Sequence, residues 1–468
     1  MISNFSGYIC QNPLTSWRSI LGHTLIIEHS EGEMFTLSDV AGFIWRNAST
    51  WVHTDQLIRA LQNEYNVDEE TAREDTLLFV QQLISISLLM TFPPLEKSAS
   101  SEIHNLRESL PNQQEKIPIQ IKNLCEVEHI PLVSYLELTR NCNLRCIHCY
   151  NGEPSQQELN IDQIKIVIDD LADLGCLDLV LTGGEPCLHK NFEDILWYAR
   201  DKRFCITLKT NGTLINERLA SLFKKTLVTE IHISLYSLKP EEHEGITKIK
   251  GSLAKTLHGI DCLLQEGLKV RISTPITKLN YLSVREVNEF AKRINARCGF
   301  DPIITAQVDG SRNPVELRID EGDWQKLFDT GLLSEVIFPN SVNLNDSSSI
   351  KSGVTNYITG NEPLCGAGRS SVTITAFGDV VPCICLPTRI GNVLEDTLNH
   401  IWNYEKEWSP IRTLSSKLFT ECKDCTHIEY CPRCPGVNFS EIGKLAGASP
   451  VICTTAAFLD RSRKYVKN

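Results

Sequence analysis

The run RNCNLRCIHCYNGEP, residues 140–154, places three cysteines within eight positions. They are Cys142, Cys146 and Cys149. Chance would produce this C-x3-C-x2-C spacing only about 0.03 times in a chain with this cysteine content. A structural zinc site takes four ligands, usually as two separated pairs, and the intervening Asn143 and Arg145 do not favour a buried apolar cluster. Three thiolates suit a [4Fe–4S] cluster with one iron free to bind another group.

Strand-like and helix-like segments alternate around this run, between residues 133 and 309. Strands are predicted at 133–142, 177–186, 205–212, 228–237, 268–277 and 301–310, and helices at 161–175, 192–201, 214–225, 252–267 and 283–298. This alternation predicts an α/β fold with a parallel sheet and outer helices. Functional residues then lie on loops at the carboxyl ends of the strands. The cysteine run after the first strand and Gly183–Pro186 after the second should therefore open onto one face.

Charge and cysteine content limit the function. The 468-residue chain has 46 Lys and Arg against 58 Asp and Glu, a formal net charge of −12. No nucleic-acid partner is expected, because phosphate binding needs a basic surface. Neither a secretory signal nor a membrane-spanning apolar run is present in the sequence, so we expect a cytoplasmic protein with no membrane partner. In a reducing compartment, 18 cysteines indicate metal or cluster ligation rather than disulfides.

The carboxyl-terminal third holds a second concentration of cysteines. It contains Cys365, Cys383, Cys385, Cys422, Cys425, Cys431, Cys434 and Cys453. Read alone, the C-x2-C-x5-C-x2-C run at 422–434 could be a small zinc knuckle, but four further cysteines lie within reach. The remaining cysteines are Cys10, Cys125, Cys176, Cys187, Cys205, Cys262 and Cys298. These are expected to be buried structural residues, and Cys187, beside the glycine turn, is the one candidate for chemistry.

Residues 1–92 form a different unit. The segments TLIIEHS and EMFTLS predict a small sheet, and three helices are predicted, one beginning near Ser38, one with Thr54 as its N-cap and one beginning at Asp68. One face of the third helix is lined by Ala72, Thr76, Phe79 and Leu83. Strands with three helices predict a winged helix-turn-helix, but the acidic composition does not suit DNA. The polar, proline-bounded residues 93–130 predict a linker with one short helix.

The cysteine run together with TGGEP, residues 182–186, resembles the radical S-adenosylmethionine (SAM) superfamily. The resemblance implies a partial (β/α)6 barrel, a [4Fe–4S] cluster on the three cysteines, and SAM bound to the fourth iron. It implies SAM contacts from Tyr150 at the adenine, from Gly183, Gly184 and Glu185 at the methionine amino group, from Ser234 at the ribose and from Arg271 at the carboxylate. For Arg271 a solvated surface arginine is an equal alternative. Thr210–Gly212 matches the superfamily's TNG turn, and a plain tight turn is the alternative there.

The carboxyl-terminal cysteines resemble the SPASM extension of radical SAM peptide-modifying enzymes, which carries two auxiliary [4Fe–4S] clusters. The resemblance implies a first auxiliary cluster on Cys365, Cys383 and Cys434, and a second on Cys422, Cys425, Cys431 and Cys453. This chain has C-x2-C near its end where the SPASM pattern has C-x3-C. Cys385 is either the fourth ligand of the first auxiliary cluster or a bystander. In the second case one iron is open to a substrate thiolate.

Residues 1–92 resemble the PqqD-like leader-peptide recognition domain of enzymes that modify ribosomally made peptides, where a strand edge captures an extended peptide. A dimerisation or capping domain is the alternative. The predicted order is a recognition domain at 1–92, a linker at 93–130, a radical SAM barrel at 131–345 and a SPASM domain at 346–468.

These resemblances imply a maturase that uses a SAM-derived 5′-deoxyadenosyl radical to form a thioether or related crosslink in a precursor peptide, as enzymes such as the subtilosin maturase do. A flavodoxin- or ferredoxin-type protein is the expected reductant. The alternatives are a sulfatase-type protein maturase, a peptide epimerase that would use a thiol such as Cys187, and a non-enzymatic iron–sulfur electron carrier or sensor. The GGEP turn and Ser234 argue against the last, because an electron carrier needs no SAM site.

Overall fold

A computed structural model describes residues 5–30, 33–92, 119–152, 158–329 and 364–466. Two compact units make up the chain. The first comprises Met1–Leu124 with Gly175–Leu177 and Asp201–Cys205, and the second comprises the other residues. Within the described ranges, no helix combines the length and the apolar character needed to cross a membrane. The predicted boundary at 345 and 346 lies outside the described residues, and so does most of the predicted linker, at 93–118.

The described residues up to Phe92 in the first unit form two antiparallel three-stranded sheets and three helices. The strands are β1 (Tyr8–Gln11), β2 (Thr15–Ile20), β3 (His23–Glu28), β4 (Met34–Ser38), β5 (Val52–His53) and β6 (Leu89–Phe92), and the helices are α1 (Asp39–Asn47), α2 (Thr54–Tyr65) and α3 (Glu69–Ser85). The sheet orders are β5–β1–β6 and β2–β3–β4. The two predicted apolar segments form β3 and β4, and the three predicted helices are present.

The starts of two of these helices test the predicted caps. Asp68 is the N-cap of α3, where its side chain accepts a hydrogen bond of 2.9 Å from the Thr71 N–H. The predicted N-cap of α2 is wrong. His53 takes that position in place of Thr54, because its Nδ1 accepts from the Asp55 N–H at 3.3 Å. On the predicted apolar face of α3, Ala72, Thr76 and Leu83 are buried and Phe79 packs against the same core.

A nine-stranded sheet has the order β12–β11–β10–β9–β8–β7–β13–β14–β15. Its first six strands in the chain are β7 (Val133–Glu137), β8 (Asp178–Thr182), β9 (Cys205–Thr210), β10 (Val228–Ser234), β11 (Val270–Pro275) and β12 (Arg297–Asp301). The pairs β7–β8, β9–β10, β10–β11 and β11–β12 are parallel. Neighbours in the chain are thus neighbours in the sheet, as a run of βα units requires.

Helices separate these strands. They are α4 (Ile119–Val127) before β7, then α5 (Ile161–Asp173), α6 (Phe192–Asp201), α7 (Glu217–Lys225), α8 (Pro240–Thr247), α9 (Ser252–Gln265), α10 (Val284–Arg293) and α11 (Glu321–Asp329). Asn160 begins α5 with a capping box, in which its side chain accepts from the backbone and Gln163 bonds back to the Asn160 N–H. The predicted α/β class is confirmed. The partial (β/α)6 barrel and the winged helix-turn-helix stay predictions.

The position of the sixth predicted strand, 301–310, is wrong. The strand β12 ends where that segment begins, and residues 302–306 have no regular structure. Helix α10 ends at Arg293, earlier than predicted, because Asn295 adopts a left-handed φ of 53° that an α-helix cannot continue. Pro302 then follows β12 without an N–H to extend the sheet.

The carboxyl-terminal part extends the same sheet. Strand β13 (Ser371–Ile374) pairs in parallel with β7, and β14 (Asp379–Val381) and β15 (Gly391–Asn392) follow in antiparallel pairs. The helices there are α12 (Leu398–Asn403), α13 (Glu405–Arg412), α14 (Pro435–Ile442) and α15 (Pro450–Val466). The loop between β14 and β15 carries Cys383 and Cys385, so the sheet itself brings carboxyl-terminal cysteines towards the first parallel strand.

Candidate functional site

A cavity of about 580 Å³ opens where the parallel strands end. The last residues of four strands line it: Thr182, Thr210, Ser234 and Pro275. The loop after β7 contributes the three predicted cluster ligands, Cys142, Cys146 and Cys149. Gly183 and Gly184, after β8, line the same cavity. The two motifs therefore meet on one face of the sheet.

Hydrogen-bond donors surround the sulfurs of this cysteine loop. Cys142 Sγ accepts from the Leu144 N–H at 3.4 Å and from the side-chain amide of Asn211 at 3.8 Å. The Tyr236 hydroxyl lies 3.8 Å from Cys146 Sγ. Asn211 and Tyr236 follow β9 and β10, so loops of other strands support the cysteine loop. Donors to ligating sulfurs are the usual means of tuning an iron–sulfur cluster.

The protonation of the loop follows from its burial. Burial raises the pKa of all three thiols, that of Cys146 to about 12. Iron binding at neutral pH must therefore displace protons from them. Burial lowers the pKa of His148 to about 4, so its imidazole is neutral, and its ring packs edge-on against Tyr236 with 4.8 Å between centroids.

The glycine turn is fitted tightly against the start of the cysteine loop. Gly184 N–H donates to the Thr139 carbonyl at 2.7 Å, and Glu185 N–H donates to the Asn141 carbonyl at 2.8 Å. A Cβ added at Gly183 would lie 2.3 Å from the Thr139 oxygen, and one added at Gly184 would lie 2.3 Å from the Asn141 oxygen. Gly183 also has a φ of 139°. Only glycine permits this approach and this conformation.

Glu185 is fully buried and is not among the residues that line the cavity. Its carboxylate accepts hydrogen bonds from the Thr210 hydroxyl at 2.7 Å, the Asn211 N–H at 2.8 Å and the Cys187 N–H at 3.2 Å. Burial raises the pKa of Glu185, and these hydrogen bonds oppose the rise. Glu185 thus joins the turns after β8 and β9. Its contact with a SAM amino group stays a prediction.

Two more predicted SAM contacts line the cavity, and two other candidates do not. Tyr150 and Ser234 line it. Arg271 does not, although strand alternation puts it on the face of β11 that carries the cavity-lining Ser273. Cys187 does not line it either. Burial, and then the neighbouring Glu185 carboxylate, raise the pKa of the Cys187 thiol well above its usual value.

Sequence patterns did not indicate Asn151, which lines the cavity and is nine-tenths buried. Its amide donates to the Gly183 carbonyl at 3.2 Å, and its Oδ1 has no hydrogen-bond partner among the described residues. A buried oxygen without a donor in a polar cavity is suited to a ligand that supplies one. The one sequence signal for Asn151 is its place directly after Tyr150.

One compact group of possible metal ligands lies outside the predicted cysteine sets. Among the described residues, one group of at least three His, Cys, Asp or Glu side chains has all its ligand atoms within 4.8 Å, and it is Glu217, His258 and Cys262. A tetrahedral zinc holds its sulfurs about 3.8 Å apart, because Zn–S bonds are about 2.3 Å long. In the described residues, no three of the predicted cluster cysteines have their sulfurs all within 4.8 Å of one another.

The predicted ligands of the first auxiliary cluster meet at a small cavity of about 30 Å³, which Cys365, Cys383 and Cys434 line. The thiol of Cys385 hydrogen-bonds to Cys383, which lowers the pKa of Cys383 and raises that of Cys385. The structure therefore brings all four cysteines together. Ile384, between the two, lines the large cavity, so this auxiliary set adjoins the cysteine loop's cavity.

The predicted ligands of the second auxiliary cluster also lie together. Burial raises the pKa of Cys422, Cys431 and Cys453, and the charge of neighbouring cysteines in the set raises it further. Cys425 is one of those neighbours, for both Cys422 and Cys453. Arg433, beside Cys431, is nearly buried and lowers the pKa of that thiol, so a cation is built into the wall of this set.

Sequence models of three protein families match the chain. They are the radical SAM superfamily at residues 136–294, the SPASM iron–sulfur cluster-binding domain at 365–426, and coenzyme PQQ synthesis protein D (PqqD) at 23–89. The chain contains radical SAM, SPASM and PqqD domains. The prediction made from the cysteine run and the GGEP turn is confirmed. A radical SAM domain binds a [4Fe–4S] cluster and SAM, and SPASM domains bind further iron–sulfur clusters, so both predicted cofactors are confirmed.

Relatives of this radical SAM protein have different activities. The AdoMet-dependent heme synthase of Methanosarcina barkeri is 24% identical over 331 residues, 67% of this chain and 94% of the relative. The antilisterial bacteriocin subtilosin biosynthesis protein AlbA of Bacillus subtilis is 28% identical over 314 residues, 65% of this chain and 67% of AlbA. The structure of Streptococcus suis SuiB bound to precursor peptide SuiA aligns with a TM-score of 0.60 at 16% identity, covering 95% of this chain and 99% of SuiB. That similarity supports the fold.

Proposed function

We propose that this radical SAM protein forms a thioether or a related crosslink in a ribosomally made precursor peptide. The observation that carries the proposal is the PqqD domain at 23–89 in the same chain as a SAM cavity. An enzyme that acts on a small metabolite needs no domain that binds a peptide. In a peptide maturase, such a domain binds the leader of the substrate at a second site. The AlbA similarity, over 65% of this chain, favours the thioether.

In this proposal Cys142, Cys146 and Cys149 hold the cluster that binds SAM. When bound, cluster and SAM supply a 5′-deoxyadenosyl radical that takes hydrogen from an unactivated carbon. The chain's own residues orient the cofactor: Tyr150 lies at the adenine and Ser234 at the ribose. The walls of the cavity exclude water from the reacting groups. Glu185 acts as a positioning residue through the turn it holds.

The proposal also includes ligands for two auxiliary clusters. We assign Cys365, Cys383, Cys385 and Cys434 to the first auxiliary cluster, because the Cys383–Cys385 hydrogen bond places a fourth thiol beside the other three. We assign the second auxiliary cluster to Cys422, Cys425, Cys431 and Cys453. The protein then carries three clusters. The first auxiliary set adjoins the cavity and is positioned to take the electron left after crosslinking, and a flavodoxin- or ferredoxin-type protein supplies the reducing electron.

The other activities considered have less support. A peptide epimerase needs a thiol that returns a hydrogen atom, and Cys187 does not line the cavity. A sulfatase-type maturase would not need the PqqD domain. The heme synthase similarity, which covers 67% of this chain, favours a second candidate, radical chemistry on a tetrapyrrole.

One experiment separates the candidates. Anaerobically reconstituted, dithionite-reduced enzyme is incubated with SAM and with each short peptide encoded beside its gene. We expect 5′-deoxyadenosine to form in an amount that matches the modified peptide. The peptide should lose the mass of two hydrogen atoms, and one of its cysteines should no longer react with iodoacetamide. Heme precursors are tested in parallel. Deoxyadenosine that depends on a tetrapyrrole and not on any peptide would favour the second candidate and reject the first.

A further inference from the structure

Lys209, in β9, lines the cavity, and its contact there is with the ring of Tyr135. Its ammonium nitrogen lies 5.0 Å from the centroid of the Tyr135 ring. Within the part of the chain that is described, no hydrogen-bond acceptor and no ion-pair distance to a carboxylate is found for it. An aromatic face attracts a cation but accepts none of the ammonium's three directed hydrogen bonds. The donors of Lys209 are therefore directed into the cavity.

Lys209, Arg271 and Asp301 together carry one net positive charge. Arg271 on β11 is close enough to lower the pKa of Lys209, after burial, which lowers it most. Asp301 at the end of β12 and the Cys385 thiol raise the pKa of Lys209. One carboxylate, that of Asp301, therefore acts on two neighbouring cations, Lys209 and Arg271. Leaving a partly buried cation unpaired is costly, which favours an added anion.

The position of Lys209 separates it from the cysteine loop. Cys142 to Cys149 and the glycine turn lie beyond the strand ends, whereas Tyr135 and Lys209 lie within β7 and β9. The lysine and the tyrosine thus lie on the strands themselves, before the loops that carry the predicted cluster ligands.

We infer that Lys209 and Tyr135 form a carboxylate subsite that takes an acidic side chain or the carboxyl terminus of the peptide substrate. The inference rests on the proposed function. The ammonium supplies charge-assisted hydrogen bonds to the carboxylate, and the Tyr135 ring supports the ammonium from behind. An Asp or Glu near the reacting residue is then preferred over Asn or Gln by about tenfold or more, because a neutral amide leaves the ammonium unpaired.

Acetate tests the subsite without knowledge of the peptide, with acetamide as its neutral isostere. Reconstituted enzyme with SAM bound is observed by saturation-transfer difference NMR. We expect an acetate signal at least about fivefold above that of acetamide. Lys209→Met and Lys209→Gln should remove the excess, and Lys209→Arg should keep part of it. Lys165→Met is the matched control, because Lys165 lies 5.3 Å from the Tyr198 ring in the same kind of contact but outside the cavity.

Several results would overturn the subsite. Equal signals from acetate and acetamide would do so. An acetate signal that is seen only when SAM is left out would also do so, because it would assign Lys209 to the carboxylate of SAM itself. An unchanged acetate signal in Lys209→Met, together with an altered electron paramagnetic resonance spectrum of the auxiliary cluster near Cys385, would assign the lysine to that cluster. The parent enzyme is then reduced and assayed. Missing deoxyadenosine would reject the proposed function, whereas deoxyadenosine without an acetate preference would reject the subsite alone.

Discussion

The carbonyl oxygen of Thr139 lies 2.3 Å from the point at which any residue other than glycine would place its Cβ at position 183. This contact fixes the turn after β8 against the start of the cysteine loop. Gly183→Ala should separate the two, because neither backbone can move without breaking the Gly184–Thr139 hydrogen bond. We expect a loss of about 2–4 kcal/mol in the free energy of unfolding. Iron content and deoxyadenosine formation should fall with it.

Gly245→Ala is the matched control for this change. Gly245 lies in α8, and apart from its chain neighbours and the backbone of that helix, no atom of the described residues is within 4 Å of the point where its Cβ would be. Alanine there should be neutral or stabilise the helix by up to about 1 kcal/mol. Thermal unfolding, iron assays and chromatography of deoxyadenosine measure both variants. Parent-like iron and SAM cleavage in Gly183→Ala would show that the close contact does not support the site.

Replacing Cys142, Cys146 and Cys149 together by Ala tests the division of ligands among three clusters. The auxiliary sets begin only at Cys365, and they use no sulfur from the cysteine loop. The reconstituted parent should hold about twelve irons and the triple variant about eight. The variant should form no deoxyadenosine. Stoichiometric zinc and only four irons in the parent would overturn the carboxyl-terminal assignments.

Cys385→Ala tests whether the first auxiliary cluster is fully ligated by the protein. If Cys385 is its fourth ligand, the variant opens one iron, and its cluster spectrum should change when a small thiol is added. The parent spectrum should not change. Cys205→Ala is the control, because this cysteine is buried in β9 and has no assigned role. A parent spectrum that already responds to thiol would make Cys385 a bystander and leave the iron open to a substrate cysteine.

The hydrogen-bonded pair Cys383 and Cys385 predicts that thiol labelling depends on pH in iron-free protein. The Cys385 thiol donates to Cys383 and lowers its pKa, whereas burial raises that of Cys146 to about 12. The thiolate is the form that reacts with iodoacetamide, and its fraction grows as pH rises through the pKa. Labelling of Cys383 should therefore increase from about pH 6 to about pH 8, while Cys146 stays unlabelled over that range. Peptide mass mapping measures both. Equal pH profiles for Cys383 and Cys146 would contradict the hydrogen bond from the Cys385 thiol to Cys383.

Local patterns in the sequence were sufficient for much of this architecture. The first five parallel strands, the cysteine loop and the glycine turn follow from periodicity and short spacings. The sixth strand was misplaced because the helix end at Asn295 uses an αL residue that is not glycine, which leaves a weak signal. The support of the cluster loop could not be predicted either. Asn211 and Cys142 are 69 residues apart in the chain, and Tyr236 and Cys146 are 90 apart. Such contacts depend on the order of strands in the sheet, not on any local pattern.

The PqqD domain offers a direct test of the hypothesis that the substrate is a peptide with a leader. In the sheet β2–β3–β4, the outer edges of β2 and β4 have no strand partner among the described residues. An extended leader peptide could add there as a further strand, with main-chain hydrogen bonds for affinity and side-chain pockets for selectivity. Residues 1–92 would then bind the leader while the SAM cavity acts on a distant core segment. Binding and chemistry should therefore be separable.

Deleting residues 1–92 should leave SAM cleavage by the reduced enzyme largely intact in the absence of peptide, because the cysteine loop and the glycine turn lie in the second unit. Modification of the full-length precursor should fall by about 10²-fold or more, because the leader no longer holds the core at a high effective concentration. Supplying residues 1–92 as a separate chain should restore only part of the activity, since the covalent connection is lost.

A leaderless core peptide is the control and should be modified equally slowly by both enzymes. Mass spectrometry measures the modified peptide and the deoxyadenosine in each of these reactions. Equal modification of the full precursor with and without residues 1–92 would eliminate leader binding and favour a capping or dimerisation role for this domain.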